Sequence, residues 1–215
     1  MTDVKTCGIT STEDAELCVE LGAWALGLVL WPDSPRRCPV ERAEEIAARM
    51  RRRAELVGVF VNQPLDEVAQ LADRVGLSML QLHGDEGPAY CREAARRTGC
   101  KVMKAVRVKD AAQVRALQSF TTDYHLLDAY VPDKPGGTGE SFNWDLAARH
   151  EWPAHVVLSG GLRPDNVAEA VRAARPFAVD TASGTEAAPG RKDPHKVEAF
   201  FRAVQSADRA PAATG

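Results

Sequence analysis

The sequence predicts a single closed barrel of eight parallel strands, each followed by a helix, over residues 1–205. Three observations lead there. Short β-rich apolar runs alternate with helix-spaced segments, and the alternation reaches eight repeats within 215 residues, near the lower size of a (β/α)8 barrel. Most runs carry Val, Leu and Ile on consecutive positions, as strands covered on both faces do. Reactive side chains fall at the carboxyl ends of those runs, where such barrels keep their chemistry. An open doubly wound sheet shares the alternation, but no GxGxxG follows the first run.

The first run, VKTCGI (residues 4–9), brings Cys7 to its end. A helix begins near Thr10 or Ser11, since Thr10 and Glu13 have capping-box spacing and Glu13 and Asp14 suit a first turn. WALGLVL (24–30) comes next, and its loop WPDSPRR holds Arg36. Val40, Ala43, Ala47 and Met50 make one helical stripe, with Arg51–Arg53 as its solvated end. LVGVFV (56–61) precedes a second stripe of Leu65, Val68, Leu71, Ala72 and Val75. MLQLHG (79–84) ends in His83, KVMKAV (101–106) follows, and YHLLDA (124–129) ends in Asp128. GGTG (136–139) reads as a mobile loop able to close over a ligand. HVVLSG (155–160) runs into Ser159, Gly160 and Gly161, and FAVDTA (177–182) carries Asp180 ahead of Ser183 and Gly184. The last helix has Pro194 near its start and Val197, Phe200, Phe201 and Val204 on one side. Residues 206–215, small and polar with one proline, read as a disordered tail.

Composition narrows the partners. A formal charge of −3 offers no broad basic field, so neither nucleic acid nor an anionic membrane is expected as a partner. The longest apolar run, residues 23–31, is too short for a bilayer, which needs about 20. No secretory leader is legible in MTDVKTC. Five cysteines without CxxC spacing read as cytoplasmic thiols, and no histidine–cysteine cluster has metal-ligand spacing.

Taken singly, each strand-end residue has an ordinary reading. Cys7 could be packing, Arg36 a solvated loop charge, His83 a structural histidine and Asp128 a loop cap. Trp31 reads first as a buried or outward-facing ring, and second as a neighbour for an aromatic substrate. The glycine loops say more. Gly160 and Gly161 after the seventh run, and Ser183-Gly184 after the eighth, would let backbone N–H groups approach an anion, at the usual phosphate site of this architecture. A phosphorylated small molecule is therefore the expected ligand.

KTCGIT, GLVLWPDSPR, VGVFV, LQLHG, LLDA, GGTGESFNW, LSGGLRPDNV, VDTASGTE and PGRKDPHKVEAFF occur in that order from residue 4 to about residue 201. Together they resemble the phosphoribosylanthranilate isomerase family of tryptophan biosynthesis. The resemblance implies a (β/α)8 barrel, without cofactor or metal, that performs an Amadori rearrangement of an aminoaldose to an aminoketose. It implies Cys7 as general base, Asp128 as general acid and Arg36 as the clamp on the anthranilate carboxylate. Gly160, Gly161, Asp180, Ser183 and Gly184 match its phosphate region; His83 is a substrate-binding candidate only by its place at the end of the fourth run. The chain departs from the pattern at Ala182, where the family often has serine, and at Thr6, where it often has an aliphatic residue. A monomer or a homodimer is expected.

The chemistry itself asks for such a pair. Opening the ribose needs a carboxyl group that keeps its proton, which burial after Leu126-Leu127 and an anionic substrate would both favour at Asp128. Removing the C2' proton needs a base, and only the thiolate form of cysteine serves. The helix start beyond Cys7 and the charge of Arg36 are expected to favour that form.

Overall fold

The computed structural model describes residues 1–108, 111–128 and 153–209. Eight strands close on themselves in sequence order: β1 (Asp3–Cys7), β2 (Ala25–Val29), β3 (Glu55–Phe60), β4 (Met79–Leu82), β5 (Lys101–Arg107), β6 (Tyr124–Asp128), β7 (His155–Ser159) and β8 (Ala178–Thr181). Every pairing is parallel, and β1 meets β8 through Asp3 to Thr6 against Ala178 to Thr181. The predicted barrel is therefore present, with all eight strands where the apolar runs put them. The described helices are α1 (Thr12–Glu20), α2 (Val40–Met50), α3 (Leu65–Val75), α4 (Pro88–Thr98), α5 (Ala111–Ala116), α6 (Val167–Ala174) and α7 (Pro194–Arg209). A small antiparallel hairpin, β9 (Glu186–Ala188) with β10 (Arg191–Lys192), stands between β8 and α7. None of these helices is long and apolar enough to cross a membrane.

Local chemistry explains the helix ends. α3 and α4 stop at Gly76 and Gly99, both in the left-handed region that glycine enters without strain. At α1 the cap differs from the capping-box expectation. The Ser11 side chain accepts from Asp14 N at 3.1 Å, while the Thr10 hydroxyl donates to the Gly190 carbonyl in the hairpin loop. Thr10 is drawn away by a partner 180 residues distant, so its neighbour caps instead.

The core has two layers. Apolar outward residues of the strands pack under the helices, where α7 buries Val197, Phe200, Phe201 and Val204. Inside the barrel, Ala25, Val57, Met79, Met103, Leu126 and Val157 fill the lower half. Trp24, Tyr124 and Phe177 close its amino-terminal end, with ring centroids 5.2 Å from Trp24 to each of the others. The α2 stripe buries Ala43, Ala47 and Met50 as expected, with Ile46 added and Val40 half-buried. Arg51, Arg52 and Arg53 are exposed beyond its end.

The tail boundary needs correction. α7 runs through residues 206–209, and Asp208 accepts from Thr2 N at 2.7 Å and Thr2 Oγ1 at 2.9 Å. Joining the two ends of the chain holds that last turn in place. Residues 210–215 lie outside the described residues.

Thr6 is a local flaw in β1. Its hydroxyl is buried without a well-formed hydrogen bond among the described residues, and its neighbour is the Cys18 thiol, a weak partner. Thr6→Val keeps the shape and removes the desolvated hydroxyl. It should stabilise the fold by about 1 kcal/mol, raising Tm by roughly 2–4 °C for a chain of this size. A lower Tm in calorimetry would mean that the hydroxyl is satisfied after all.

Candidate active site

Strand periodicity decides which β1 side chains face the barrel axis. Lys5 and Cys7 point inward, and Thr6 between them points to α1. Cys7 is paired in register with Gly27 of β2. A Cβ at residue 27 would lie 2.7 Å from the Cys7 sulfur, so only glycine leaves room for the thiol. Burial pushes the Cys7 thiol up from its ordinary value; the Lys5 charge is the largest opposing influence, and Lys192 also opposes it. This corrects the expectation that the helix start and Arg36 would favour thiolate. Desolvation outweighs them, and the two main offsetting cations come from the barrel floor and the hairpin.

The β6 terminus presents Asp128 across the mouth, with a side chain 21% exposed. His83 Nε2, from the end of β4, stands 3.5 Å from Asp128 Oδ2. Gln81 Nε2 lies 2.9 Å from His83 Nδ1 and steadies the ring. His83 is thus brought to the proposed acid itself.

Arg36 reaches the same mouth from the loop after β2. Its Nε contacts both Glu186 oxygens at 2.8 and 3.0 Å, and its Nη2 contacts Oε2 at 2.8 Å. Glu186 is buried at the start of β9 and also accepts from Gly190 N at 3.2 Å. The fork is therefore held from one side while about a quarter of the side chain stays exposed. Hydrogen bonds donated to Glu186 raise the Arg36 guanidinium further, so it is a permanent cation.

The loops after β7 and β8 are built on glycine positions. Gly160 and Gly161 have φ of 96° and 63°, a region closed to most side chains. Asn166 fixes that loop, accepting from Arg163 N at 2.8 Å and donating to the Gly161 carbonyl at 3.1 Å. A Cβ on Gly184 would strike the Leu162 carbonyl oxygen at 1.9 Å, so the loops after β7 and β8 touch there. Ser183 starts a single 3-10 turn. Asp180 lies deeper, accepting from Lys5 Nζ at 2.9 Å and Ser159 Oγ at 3.2 Å. Its charge is matched to Lys5 rather than turned toward an incoming anion.

All of these meet in one cleft of about 380 Å³, lined by Cys7, Arg36, His83, Asp128, Gly160, Gly161, Asp180 and Ser183 among others. Trp31, Val29 and Val59 pack with Cys7 as its apolar wall, so the Trp31 ring faces the cleft. Gly184 stands behind the wall rather than on it. Sequence reasoning missed Lys5, Gly27, Glu186 and Lys192. The one available signal was a lysine and a cysteine two apart in an apolar run. The GGTG segment lies outside the described residues.

A closed parallel barrel whose strand ends gather a thiol, a carboxyl group, a fixed guanidinium and two glycine loops around one cleft is a (β/α)8 barrel with its reactive side chains at the carboxyl ends of the strands. The particular family is shown by comparison. Residues 4–203 match the model of the N-(5'-phosphoribosyl)anthranilate (PRA) isomerase family, and the chain belongs to it. It is similar to the N-(5'-phosphoribosyl)anthranilate isomerase of Geobacter metallireducens, 48% identical over 206 residues, covering 96% of this chain and all of that one. The phosphoribosyl anthranilate isomerase crystal structure from Thermotoga maritima superposes with a TM-score of 0.86 at 40% identity, over 96% of this chain and 100% of that one. A phosphoribosyl anthranilate isomerase in complex with reduced 1-(o-carboxyphenylamino)-1-deoxyribulose 5-phosphate gives 0.84 at 38% identity, with the same coverage.

Proposed function

We propose that this chain is an N-(5'-phosphoribosyl)anthranilate isomerase that works by general acid–base catalysis. The reading rests above all on the convergence of Cys7, Arg36, Asp128 and the two glycine loops on one cleft. The substrate carries a carboxylate at one end and a phosphate at the other. The Arg36 fork suits the carboxylate, and Gly160, Gly161 and Ser183 suit the phosphate. The aromatic ring would lie along Trp31 and Val59, and the ribose between sulfur and carboxyl.

Asp128 protonates the ring oxygen, the C1'–O bond breaks, and the anilino nitrogen supplies the electrons that form an iminium. That neighbouring cation acidifies the C2' proton. The Cys7 thiolate removes it, and the electrons flow back to nitrogen to give an enolamine. Return of one proton to C1' and loss of one from the C2' hydroxyl yield the aminoketose, with acid and base restored. Both groups must stand on opposite sides of the sugar, which strands β1 and β6, three steps apart in the closed barrel, make possible.

Purified protein should consume the fluorescent substrate, and the gene should rescue a tryptophan auxotroph that lacks this step. A folded protein that binds the substrate without turnover would instead be a ligand-binding barrel. Arg36→Met should raise KM by about 10- to 100-fold with kcat little changed, since it deletes a charge-assisted contact worth about 1.5–3 kcal/mol in ground and transition states alike. Glu186→Gln should raise KM less, because it loosens Arg36 without removing it. A fall in kcat at constant KM would argue against the clamp. The five cysteines are free thiols, as suits a cytoplasmic enzyme; light scattering distinguishes monomer from homodimer.

A further inference from the structure

Lys5 is fully buried in the barrel. Barrels of this class fill that level with branched apolar residues, and an apolar pair of similar volume packs there without the cost of desolvating two ions. The Lys5 ammonium is 2.9 Å from Asp180 Oδ1, and the second Asp180 oxygen is held by Ser159 Oγ. An ammonium has three donors. The Cys7 sulfur stands two residues along on the same face of β1, where the ammonium charge acts on it.

We propose that Lys5 is a positioning residue for the catalytic base: Asp180 holds its ammonium beneath Cys7, where it is the resident counter-ion of the thiolate. The inference rests on the reading of Cys7 as the base. The charged groups facing the sulfur are Lys5 from β1, Asp180 from β8, Lys192 from β10 and Arg36 from the loop after β2. Arg36 is committed to Glu186. Lys192 donates to the Cys7 carbonyl at 2.7 Å and the Ala182 carbonyl at 3.0 Å, so it serves the backbone.

The two lysines near the sulfur are also shifted in opposite directions. Burial works against both ammonium groups. At Lys5, Asp180 and Cys7 outweigh it and the pKa is raised, whereas at Lys192 burial prevails and the pKa is lowered. Lys5 is the standing cation of the cleft floor. No proton passes through it. The thiol proton leaves to water before substrate enters, the thiolate takes the C2' proton during turnover, and the Lys5–Asp180 pair persists throughout.

Cys7 ionisation can be followed without substrate, from thiolate absorbance near 240 nm in the wild type minus that of Cys7→Ala. In Lys5→Met/Asp180→Asn, which leaves no buried carboxylate unpaired, the transition should move alkaline by at least about one pH unit, a tenfold loss of thiolate. The rise of kcat/KM with pH should move with it, and KM at high pH should hold. Lys5→Arg, which keeps the charge, should restore both. An unmoved thiol transition in the folded double variant would overturn the proposal. If that variant does not fold, the wild type decides: the Lys5 15Nζ resonance should shift through the Cys7 transition and stay flat in Cys7→Ala, and a flat wild-type trace would sink the pairing. Absent turnover with normal thiol behaviour would instead count against the isomerase reading alone.

Discussion

Cys7→Ala should lower kcat by about 10²- to 10⁴-fold, the range expected when a positioned base is removed, and leave KM within about twofold. The sulfur touches the sugar carbon only in the proton-transfer step, so its loss falls on the transition state. The fold should persist, because alanine fits beside Gly27 and the lost atom leaves space at a cleft mouth rather than in the sealed core. Circular dichroism and stopped-flow fluorescence check both parts. Near-wild-type turnover would remove Cys7 from the chemistry.

The sign of the pH dependence follows from the same site. With Cys7 in its proposed role the active form is the thiolate, and burial holds the Cys7 thiol above its ordinary value. In the free enzyme kcat/KM should therefore climb with pH through neutrality and still be climbing at pH 8. A plateau below pH 7 would mean that another group is the base.

Asp128→Asn should carry the second large effect, a fall in kcat of about 10²- to 10⁴-fold. An amide has the shape of the acid but no proton to give to the ring oxygen. The His83 contact survives in outline, since an amide oxygen can still face Nε2. Substrate should therefore bind with little change in KM, and with the ring closed. Rapid mixing that detected open-chain intermediate in this variant would show a different proton donor at work. Combining the variant with Cys7→Ala should lose less than the product of the two single losses, because acid and base act on one sequence of bonds.

Much of this site was legible along the chain because a strand end has a fixed chemical meaning in a parallel barrel. Asp128 directly follows Leu126-Leu127, while Cys7 and Gly160-Gly161 stand at the ends of their β-rich runs, and their positions were readable from that fact. Glu186 was not, although it sits in a quoted motif. Its partner Arg36 is 150 residues away, and no local pattern connects them. Thr10 misled for the same reason, since Gly190 takes the hydroxyl that the capping-box spacing had assigned to the helix.

Composition and periodicity determined the alternation of strands and helices, the faces they bury and the strand ends where chemistry could gather, because backbone preference depends on neighbours a few residues away. Tertiary structure alone decided that Lys5 meets Asp180 across 175 residues, that Lys192 reaches the Cys7 carbonyl across 185, and in which direction the thiol is pushed. Ionisation answers to distance and to exclusion of water, and both are set only when the barrel closes.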